Sequence, residues 1–440
     1  MRRGLVLLLA LVALAAPSRA EACRAIAVSS SIQAAVDQAQ PCDWILIPPG
    51  TYRESVVVET PNVHLRGLNR NTVVLDGRHQ RGTNGIEIRA SGASVENLTV
   101  RNFDSEDGAG GYQIWWNGSG DAGTAIRGWR GRYLTTYDTG LAGSVGLGTS
   151  NASAGSWDHV YASGFGVAGL SLGGCRDCRA TVTHAWAERN RVGFSATNAG
   201  GHLVVQDSVL AHNSTGLAAA SLASADPPAP QLGTCSAGSN ATVPASIAST
   251  RISRCTIFRR NRIESNTNLT VPTAPAAPVL PWGSGIVLSG TYGDRVANNV
   301  VTGNRNLGIV LLEAAETPAG AAQPVFFQST GNRVSANIVR GSRWDVALEG
   351  GLFGAMQSVG NCVSANLIRR SLPADLGPWR CALGTTPNVD AASSNAVLRF
   401  VTKLQSAAAR RPRGQPAPPP QPTMPKPCAG VPPTPLCAAG

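Results

Sequence analysis

Three side chains in the middle of the chain have the types that proton-transfer chemistry requires. Asp158 and His159 are adjacent, and Asp138 lies upstream of them. A carboxylate can bind a cation or accept a proton, and an imidazole titrates near neutral pH, so these residue types can form a general acid–base set. We take Asp138, Asp158 and His159 as candidate catalytic residues. The alternative is that each aspartate has a structural role at a turn.

Tryptophan and arginine are concentrated in the same stretch of the sequence. Aromatic faces stack on sugar rings, and a guanidinium group can bind a carboxylate through two parallel hydrogen bonds. The sequence therefore predicts a groove for an acidic sugar polymer on the middle part of the fold. The alternative is that some of these tryptophans fill wide parts of the core. The candidate substrate-binding residues are Trp115, Trp116, Trp129, Arg130, Arg132 and Trp157.

A glycine-rich segment contains a local group of acidic residues, Asp104, Glu106 and Asp107. Carboxylate oxygens are ligands that Ca²⁺ prefers, so Ca²⁺ is the one cofactor that the sequence leaves open. A solvated acidic loop would explain the same residues. We predict no zinc or other structural metal site, because no second pair of ligands stands at a suitable spacing.

The first residues predict export. A basic start, Met1–Arg3, precedes an apolar stretch, Gly4–Ala16, and small residues follow it. This order is typical of a signal peptide, here residues 1–22, and the apolar stretch is too short to span a membrane. The alternative is a lipid-modified Cys23, although Ala20 stands where a lipobox usually has leucine. We expect a secreted protein with no transmembrane segment, for which association with the cell wall is a further option.

Ten cysteines follow this segment. An even number of cysteines in an exported chain favours disulfides over metal ligands. Spacing alone does not fix the connectivity, so the predicted pairing rests on proximity in the sequence. The predicted disulfides are Cys23–Cys42, Cys175–Cys178, Cys235–Cys255, Cys362–Cys381 and Cys428–Cys437.

The formal net charge of +11 comes almost entirely from arginine, because lysine occurs only at Lys403 and Lys426. A basic surface attracts anionic partners. We expect an acidic polysaccharide or a cell-wall polymer as the partner, no nucleic acid, and a monomeric chain. A coding bias toward arginine would give the same charge without such a partner.

A repeat predicts the fold. Residues 331–340 and 360–369 are identical at seven of ten positions, and two related units, 184–190 and 207–213, lie 23 residues apart. Each unit has a short alternating strand, a polar turn that often contains Asn, and a glycine before the next strand. Such strands bury their apolar side only by stacking in successive turns of a coil. A period of about 22 residues predicts an all-β fold, a right-handed parallel β-helix with three sheets and about 11 to 13 rungs. Asn is expected at the turns because it tolerates a left-handed backbone.

The ends of such a coil need caps, because an exposed terminal rung is an unpaired edge. Residues 31–39 and 393–410 both have the apolar spacing of short amphipathic helices, and we predict these helices as the caps. The last 30 residues contain 11 prolines, which predicts a disordered tail. The predicted organisation is a signal peptide at 1–22, the β-helix with its N-terminal cap at 23–392, the helix at 393–410 and the tail at 411–440.

A family resemblance covers about residues 30–370. Ser31–Val36, Asp43–Tyr52, Val63–Gly67 and Val74–Gly77 resemble the N-terminal part of bacterial pectate-lyase-like β-helix proteins. That group includes pectin methylesterases, mannuronan epimerases and NosD-like carbohydrate-binding proteins, and Trp157–Gly201 is similar to secreted actinobacterial members without an assigned function. The resemblance implies the fold and leaves the activity open, because one fold hosts many functions.

The motifs of the family's enzymes are matched only in part. Trp157-Asp158-His159 is similar to the Trp-x-Asp-His motif of pectate lyases but is one residue shorter. Tyr137-Asp138 keeps only the first two residues of the Tyr-Asp-Pro-His-Asp motif of the epimerases. Three functions therefore remain: binding of acidic polysaccharide without turnover, a polysaccharide lyase or C5-epimerase with a diverged site, and a structural cell-surface solenoid.

Overall fold

The computed structural model describes residues 22–119, 125–140, 142–175, 177–222, 256–272, 280–317, 320, 322–351, 360–383, 386–405 and 414–437. Residues 1–21 of the predicted signal peptide, the predicted pair Cys235–Cys255 and residues 406–410 of the predicted C-terminal helix lie outside this part. In the part described, no helix is both long and apolar enough to cross a membrane.

The chain winds through three parallel sheets in turn, which we name A, B and C. The strands of sheet A in the described residues are Ala25–Ala27, Trp44–Ile47, His64–Gly67, Ser94–Glu96, Arg130–Arg132, Ser156–Asp158, Ala180–Thr183, Leu203–Gln206, Thr256–Arg259, Arg295–Ala297, Arg333–Ser335 and Cys362–Ser364. Those of sheet B are Gly50–Tyr52, Val73–Arg81, Thr99–Glu106, Thr135–Tyr137, Tyr161–Ser163, Trp186–Glu188, Val209–Ala211, Arg262–Glu264, Val300–Leu312 and Ile338–Leu348. The last two continue into sheet C, which also contains Val56–Val58, Ile86–Ile88, Tyr112–Asn117, Val145–Ser150, Ala168–Gly173, Val192–Thr197, Thr215–Ala220, Ser284–Ser289 and Ser371–Leu372.

Small strand pairings also lie outside these sheets in the described residues. Ala109–Gly110 pairs antiparallel with the end of Thr99–Glu106, and Ala314–Glu316 pairs antiparallel with Val325–Phe327. Ile126–Arg127 pairs parallel with Ala152–Ser153.

Each strand pairs in register with the strand one turn later, so that like positions form columns. In sheet A, for example, Trp157, Val182, Val205 and Phe258 follow one another in register and all are fully buried. Side chains alternate between the two faces of a strand, so alternate columns of each sheet point into the coil. Burying a side chain of this size contributes about 1.5–3 kcal/mol. The predicted parallel β-helix is confirmed.

Asparagine ladders run along the inside of the turns. Asn213 Nδ2 donates to Asn266 Oδ1 at 2.9 Å and to the carbonyl oxygen of Ala187 at 3.0 Å, and Asn190 and Asn304 continue the same ladder. In this ladder the left-handed backbone falls on the residue before the asparagine, as His212 has φ of 57°. At other turns the asparagine itself has the expected left-handed backbone, as Asn97 does with φ of 59° and Asn298 with φ of 57°. The ladder asparagines are buried because their amides satisfy turn backbone groups that no strand partner reaches.

The two helices have different positions. Helix α1 (Ile32–Val36) closes the N-terminal end and buries Ile32, Ala35 and Val36 in the main core. Helix α2 (Ala391–Gln405) lies on the outer face of sheet C, where Val397 and Val401 pack in one cluster with Val310. It therefore covers a side of the coil, because its apolar face matches an apolar column there.

The C-terminal end of the core is closed by other residues. Trp379, in the 3₁₀ turn Gly377–Trp379, and Val389 belong to the main core, and a second 3₁₀ turn spans Cys381–Leu383. Four of the predicted disulfides are present in the described residues: Cys23–Cys42, Cys175–Cys178, Cys362–Cys381 and Cys428–Cys437.

The proline-rich segment 414–437 is packed against the early rungs, which differs from the predicted disordered tail. Asn97 Oδ1 accepts hydrogen bonds from Thr423 Oγ1 at 2.8 Å and from Met424 N at 2.9 Å. Arg66 donates to the carbonyl oxygens of Pro427 and Ala429, at 3.0 and 2.7 Å. Proline composition predicted disorder because such a segment has no partners of its own, and here the coil supplies them.

Candidate functional site

The predicted catalytic residues lie on two different edges of the coil. Asp158 and His159 are in the turn from sheet A to sheet B, which we call the A–B edge. Asp138 follows strand Thr135–Tyr137 and begins the turn from sheet B to sheet C, the B–C edge. The two edges are at opposite ends of the sheet B strands, so Asp138 is not brought together with Asp158 and His159.

The carboxylate of Asp138 is buried and holds the loop that follows it. Its Oδ1 accepts a hydrogen bond from Gly140 N at 3.0 Å, and its Oδ2 accepts one from Gly143 N at 2.9 Å. Burial raises the pKa of Asp138 because desolvation disfavours the charged form, and the negative charge of Asp104 acts in the same direction. The two backbone hydrogen bonds lower this pKa without cancelling the rise.

His79 completes a cluster with two carboxylates. Its Nδ1 lies 3.3 Å from Asp104 Oδ1 and 3.6 Å from Asp138 Oδ1. The side chain of His79 is 42% exposed, whereas those of Asp104 and Asp138 are 8% and 0% exposed. A carboxylate at Nδ1 fixes the tautomer of an imidazole and leaves Nε2 for proton transfer. Here Nε2 lies 3.4 Å from Thr139 Oγ1.

This cluster does not fit Ca²⁺. The three ligand atoms lie within 4.8 Å of one another, but Ca²⁺ takes six to eight oxygen ligands and an imidazole nitrogen is not one of them. Both oxygens of Asp138 are already engaged by backbone donors. The predicted acidic loop gives no better set, because Glu106 and Asp107 are exposed while Asp104 is buried beside His79.

An ion pair lies beside the cluster on the outer face of sheet B. Arg101 donates to Asp76 Oδ2 from Nε at 3.0 Å and from a terminal nitrogen at 2.8 Å, and donates to the Tyr137 hydroxyl at 2.6 Å. Burial raises the pKa of Asp76, but hydrogen bonds from the backbone of Arg78 and from Arg101 hold it below its ordinary value. The charge of Arg101 is therefore neutralised within the protein.

Asp158 joins histidines from two successive rungs on the A–B edge. Its Oδ1 lies 2.8 Å from His184 Nδ1 and 2.9 Å from His159 Nδ1, and accepts a hydrogen bond from Thr183 Oγ1 at 2.9 Å. Burial raises the pKa of Asp158, but His184, His159 and Thr183 hold it below its ordinary value. The Tyr133 ring stacks on His159 with centroids 4.7 Å apart. The column links three rungs along this edge.

Three of the predicted sugar-binding tryptophans are inside the coil. Trp116, Trp129 and Trp157 are at most 1% exposed, and their ring centroids lie 5.3–6.1 Å apart. Enclosed side chains cannot contact a substrate, so this part of the prediction is wrong and the core-filling alternative holds. Gly131 makes room for them, because a Cβ there would lie 2.8 Å from the Trp157 ring.

The two predicted arginines lie on the outer face of sheet A. Arg130 is exposed, and a terminal nitrogen of Arg132 lies 3.8 Å from Glu96 Oε1. Glu96 also forms a buried ion pair with Arg66. Trp115 is on sheet C, so these residues do not line one groove.

Trp115 is the predicted tryptophan that faces outward. It stacks on Tyr112 with ring centroids 4.5 Å apart and an interplanar angle of 17°, and its Nε1 donates to Ser150 Oγ at 3.1 Å. Gly148 lies beside the pair, and a Cβ there would come within 2.5 Å of the Tyr112 ring. The two half-buried rings lie on the outer face of sheet C, and we call this stacked pair the aromatic platform.

The outer face of sheet C changes in character along its length. After Trp115 the column continues with Gly148, Ser171 and Ser195, which are small. It then becomes apolar and buried, with Ala218, Val287, Val310 and Ala347 in the cluster that contains helix α2. The aromatic platform therefore lies on the part of sheet C that the helix leaves uncovered.

Sequence reasoning missed His79 and Tyr112. His79 lies at the end of sheet B with no recognisable motif around it, and only stacking of the rungs brings it to Asp104 and Asp138. Tyr112 had no usable signal, because residues three apart in an alternating strand are expected on opposite faces, yet its ring stacks on Trp115. Asp104 was noticed only as a member of an acidic loop.

Solved structures with a similar coil are known. The A-module of a mannuronan C-5 epimerase from Azotobacter vinelandii is similar at 14% identity over 76% of this chain and 89% of that chain, with a TM-score of 0.48. An alginate lyase from a Paenibacillus strain is similar at 15% identity over 71% and 94% of the two chains, with a TM-score of 0.39. The catalytic domain of a family 87 α-1,3-glucanase is similar at 13% identity over 78% and 69%, with a TM-score of 0.45. Similarity at this level concerns the fold. No protein-family model and no curated protein matches the sequence.

Proposed function

We propose that this protein is secreted and binds an acidic, uronate-containing polysaccharide along the outer face of sheet C. The observation that carries the proposal is the aromatic platform of Tyr112 and Trp115, whose stacked, half-buried rings belong to neither apolar core cluster. Aromatic faces stack on sugar rings, and the net charge of +11 favours an anionic polymer. The four disulfides suit an extracellular location.

Binding is tested by affinity electrophoresis in gels containing polygalacturonate, alginate or a neutral glucan. Trp115→Ala removes half of the aromatic platform and is expected to weaken retention by the acidic polymers by about tenfold, since aromatic stacking contributes about 0.5–1.5 kcal/mol beyond buried area. Trp186→Ala is the matched control, because Trp186 is 45% exposed but lies on sheet B. Equal weakening by both variants would contradict the proposal.

A second candidate function is a polysaccharide lyase or C5-epimerase, favoured by the contact between His79 and Asp104. Both reactions begin when a base takes the C5 proton of a uronate. His79 Nε2 is the base we propose, and Asp104 positions the ring through Nδ1. In a lyase, the electron pair then forms the C4=C5 double bond and expels the C4 oxygen as the leaving group. In an epimerase, a proton returns to C5 from the opposite face.

Turnover is tested by incubating the protein with pectate and alginate, with and without Ca²⁺. Unsaturated products are followed by absorbance, and exchange at C5 is followed by NMR in D₂O. His79→Gln is expected to lower turnover by about 100-fold or more, the usual contribution of a general base, while retention by the polymer is kept. His184→Gln is the control on the other edge. Retention without turnover would leave the binding function, and the absence of both would favour the structural solenoid.

A further inference from the structure

A concave site lies at the B–C edge of the last rungs. It has a volume of about 390 Å³ and is lined mainly by Arg305, Arg343, Asp345, Arg369 and Arg370. Its rung lies six strands of sheet B beyond that of Asp138, which corresponds to about 29 Å at about 4.8 Å per strand. We call it the arginine cavity, and it is separate from the aromatic platform and from His79.

The arginine cavity carries an excess of positive charge. Its four arginines are exposed, and its one carboxylate belongs to Asp345. Among the described residues, none of these four guanidinium groups forms an ion pair with a carboxylate. Four cations around one concavity repel each other, and an anionic group bound between them would relieve that repulsion.

Ring contacts and backbone hydrogen bonds hold these arginines in place, and neither pairs a guanidinium group with a carboxylate. The Arg305 guanidinium lies 5.7 Å from the Trp282 ring centroid, and that of Arg343 lies 5.2 Å from the Phe400 ring of helix α2. Arg369 and Arg370 are anchored through their backbone N–H groups, which donate to Asp345 Oδ2 at 2.8 and 3.3 Å. Within the described part of the chain, the guanidinium N–H groups therefore have no carboxylate partner and can bind an anionic ligand.

Asp345 adds a second feature that points to a ligand. It is 1% exposed and lines the cavity, yet its Oδ1 has no hydrogen-bond partner among the residues that the structure describes. A buried acceptor without a donor is costly, and a hydroxyl group of a ligand would supply that donor. A ligand that carries both an oxyanion and a neighbouring hydroxyl group satisfies both features of the cavity.

We propose that the arginine cavity binds an anionic sugar unit, whose phosphate, sulfate or carboxylate group is held by the four arginines and whose hydroxyl donates to Asp345 Oδ1. Arginine suits this role because its planar donors match oxyanions through paired hydrogen bonds. The proposal goes beyond the function proposed above, since it places a second binding site on the coil and does not need the aromatic platform.

Calorimetry at low ionic strength tests the proposal with glucose 6-phosphate, glucose 6-sulfate and glucuronate, and with inorganic phosphate as the ion without a sugar. The double variant Arg343→Gln/Arg370→Gln is expected to lower affinity for the preferred sugar at least tenfold. The control Arg53→Gln/Arg295→Gln removes the same charge from exposed positions elsewhere and is expected to stay within twofold of wild type. The preferred ligand among the three identifies the oxyanion.

Two results would overturn the arginine cavity as a site. One is an equal loss of affinity in the two double variants, which would show attraction by overall charge alone. The other is the absence of saturable binding of all three charged sugars by the wild-type protein. Trp115→Ala separates this site from the proposed function, because it is expected to leave calorimetric binding of the small sugars unchanged while it weakens retention by the polymers.

Discussion

Nδ1 of His79 lies 3.3 Å from Oδ1 of Asp104, although the two residues are 25 positions apart and belong to successive rungs. The contact crosses from one turn of the coil to the next, and Asp138 of the following rung lies on the same side. An exposed imidazole is thus oriented by buried carboxylates.

The orientation of His79 predicts its tautomer. A carboxylate acceptor at Nδ1 favours the neutral form protonated there, with Nε2 unprotonated. Heteronuclear NMR of the imidazole nitrogens is expected to show the Nδ1–H form as the major neutral tautomer in the wild-type protein and a smaller share of it in Asp104→Asn. Asp158→Asn, on the other edge, is the control and leaves the His79 signals unchanged. An unaltered tautomer ratio in Asp104→Asn would show that the carboxylate does not orient the ring.

The enclosed tryptophans predict a large difference in stability between two substitutions of the same type. Trp157→Ala leaves a cavity in the core and is expected to lower the free energy of unfolding by about 3–5 kcal/mol. Trp186→Ala, at a residue 45% exposed, is expected to cost less than about 1 kcal/mol. Urea unfolding followed by far-ultraviolet circular dichroism measures both. Similar losses in the two variants would contradict the burial of Trp157.

The fold could be predicted from the sequence because each repeat unit corresponds to part of one turn of the coil. Short alternating strands, polar turns and a period of about 22 residues leave few architectures that bury the apolar side. The orientation of the tryptophans could not be predicted in the same way. Trp115 and Trp116 are adjacent in one strand and must face opposite sides, but the sequence does not show which of the two faces inward. That choice depends on the register of Ile114, which pairs with Ile86 inside the coil.

The candidate site was harder to predict than the fold, for a physical reason. The site draws on three rungs, which contribute His79, Asp104 and Asp138. Because the turns of these rungs differ in length, no fixed spacing in the sequence indicates that the three side chains are in contact. Asp158 and His184 meet in the same way, 26 positions apart. The local motif Trp157-Asp158-His159 suggested a catalytic unit, but its indole points inward while its carboxylate and imidazole lie at the edge.

The packed tail predicts an energetic coupling to Asn97. Asn97 has φ of 59°, donates to the carbonyl oxygen of Gly67 at 2.8 Å and accepts from Thr423 and Met424. Asn97→Gly keeps the left-handed backbone available and removes only the side chain, so it is expected to cost about 2–3 kcal/mol in the full chain. In a chain that ends at residue 413, the cost is expected to be smaller by about 1 kcal/mol, because the contacts with the tail are already gone.

The control for this coupling is Asn298→Gly. Asn298 has φ of 57° in the same kind of turn at a later rung, away from the tail contacts. Its cost, measured by urea unfolding, is expected to be the same in the full and the shortened chain. A cost of Asn97→Gly that is likewise independent of the tail would mean that residues 414–437 contribute nothing through Asn97 in solution.

The lowered pKa of Asp158 predicts that the free energy of unfolding depends on pH. The histidines and Thr183 hold its folded pKa below the unfolded value of about 3.9, so its contribution is present above the unfolded pKa and is lost as the pH falls through the folded pKa. Asp158→Asn is therefore expected to lower the free energy of unfolding by about 1 kcal/mol at pH 6 and by clearly less at pH 2. Glu59→Gln, at a side chain 72% exposed, is the control and is expected to show no such dependence. A cost of Asp158→Asn that is equal at both pH values would show that His159, His184 and Thr183 do not stabilise the ionised carboxylate.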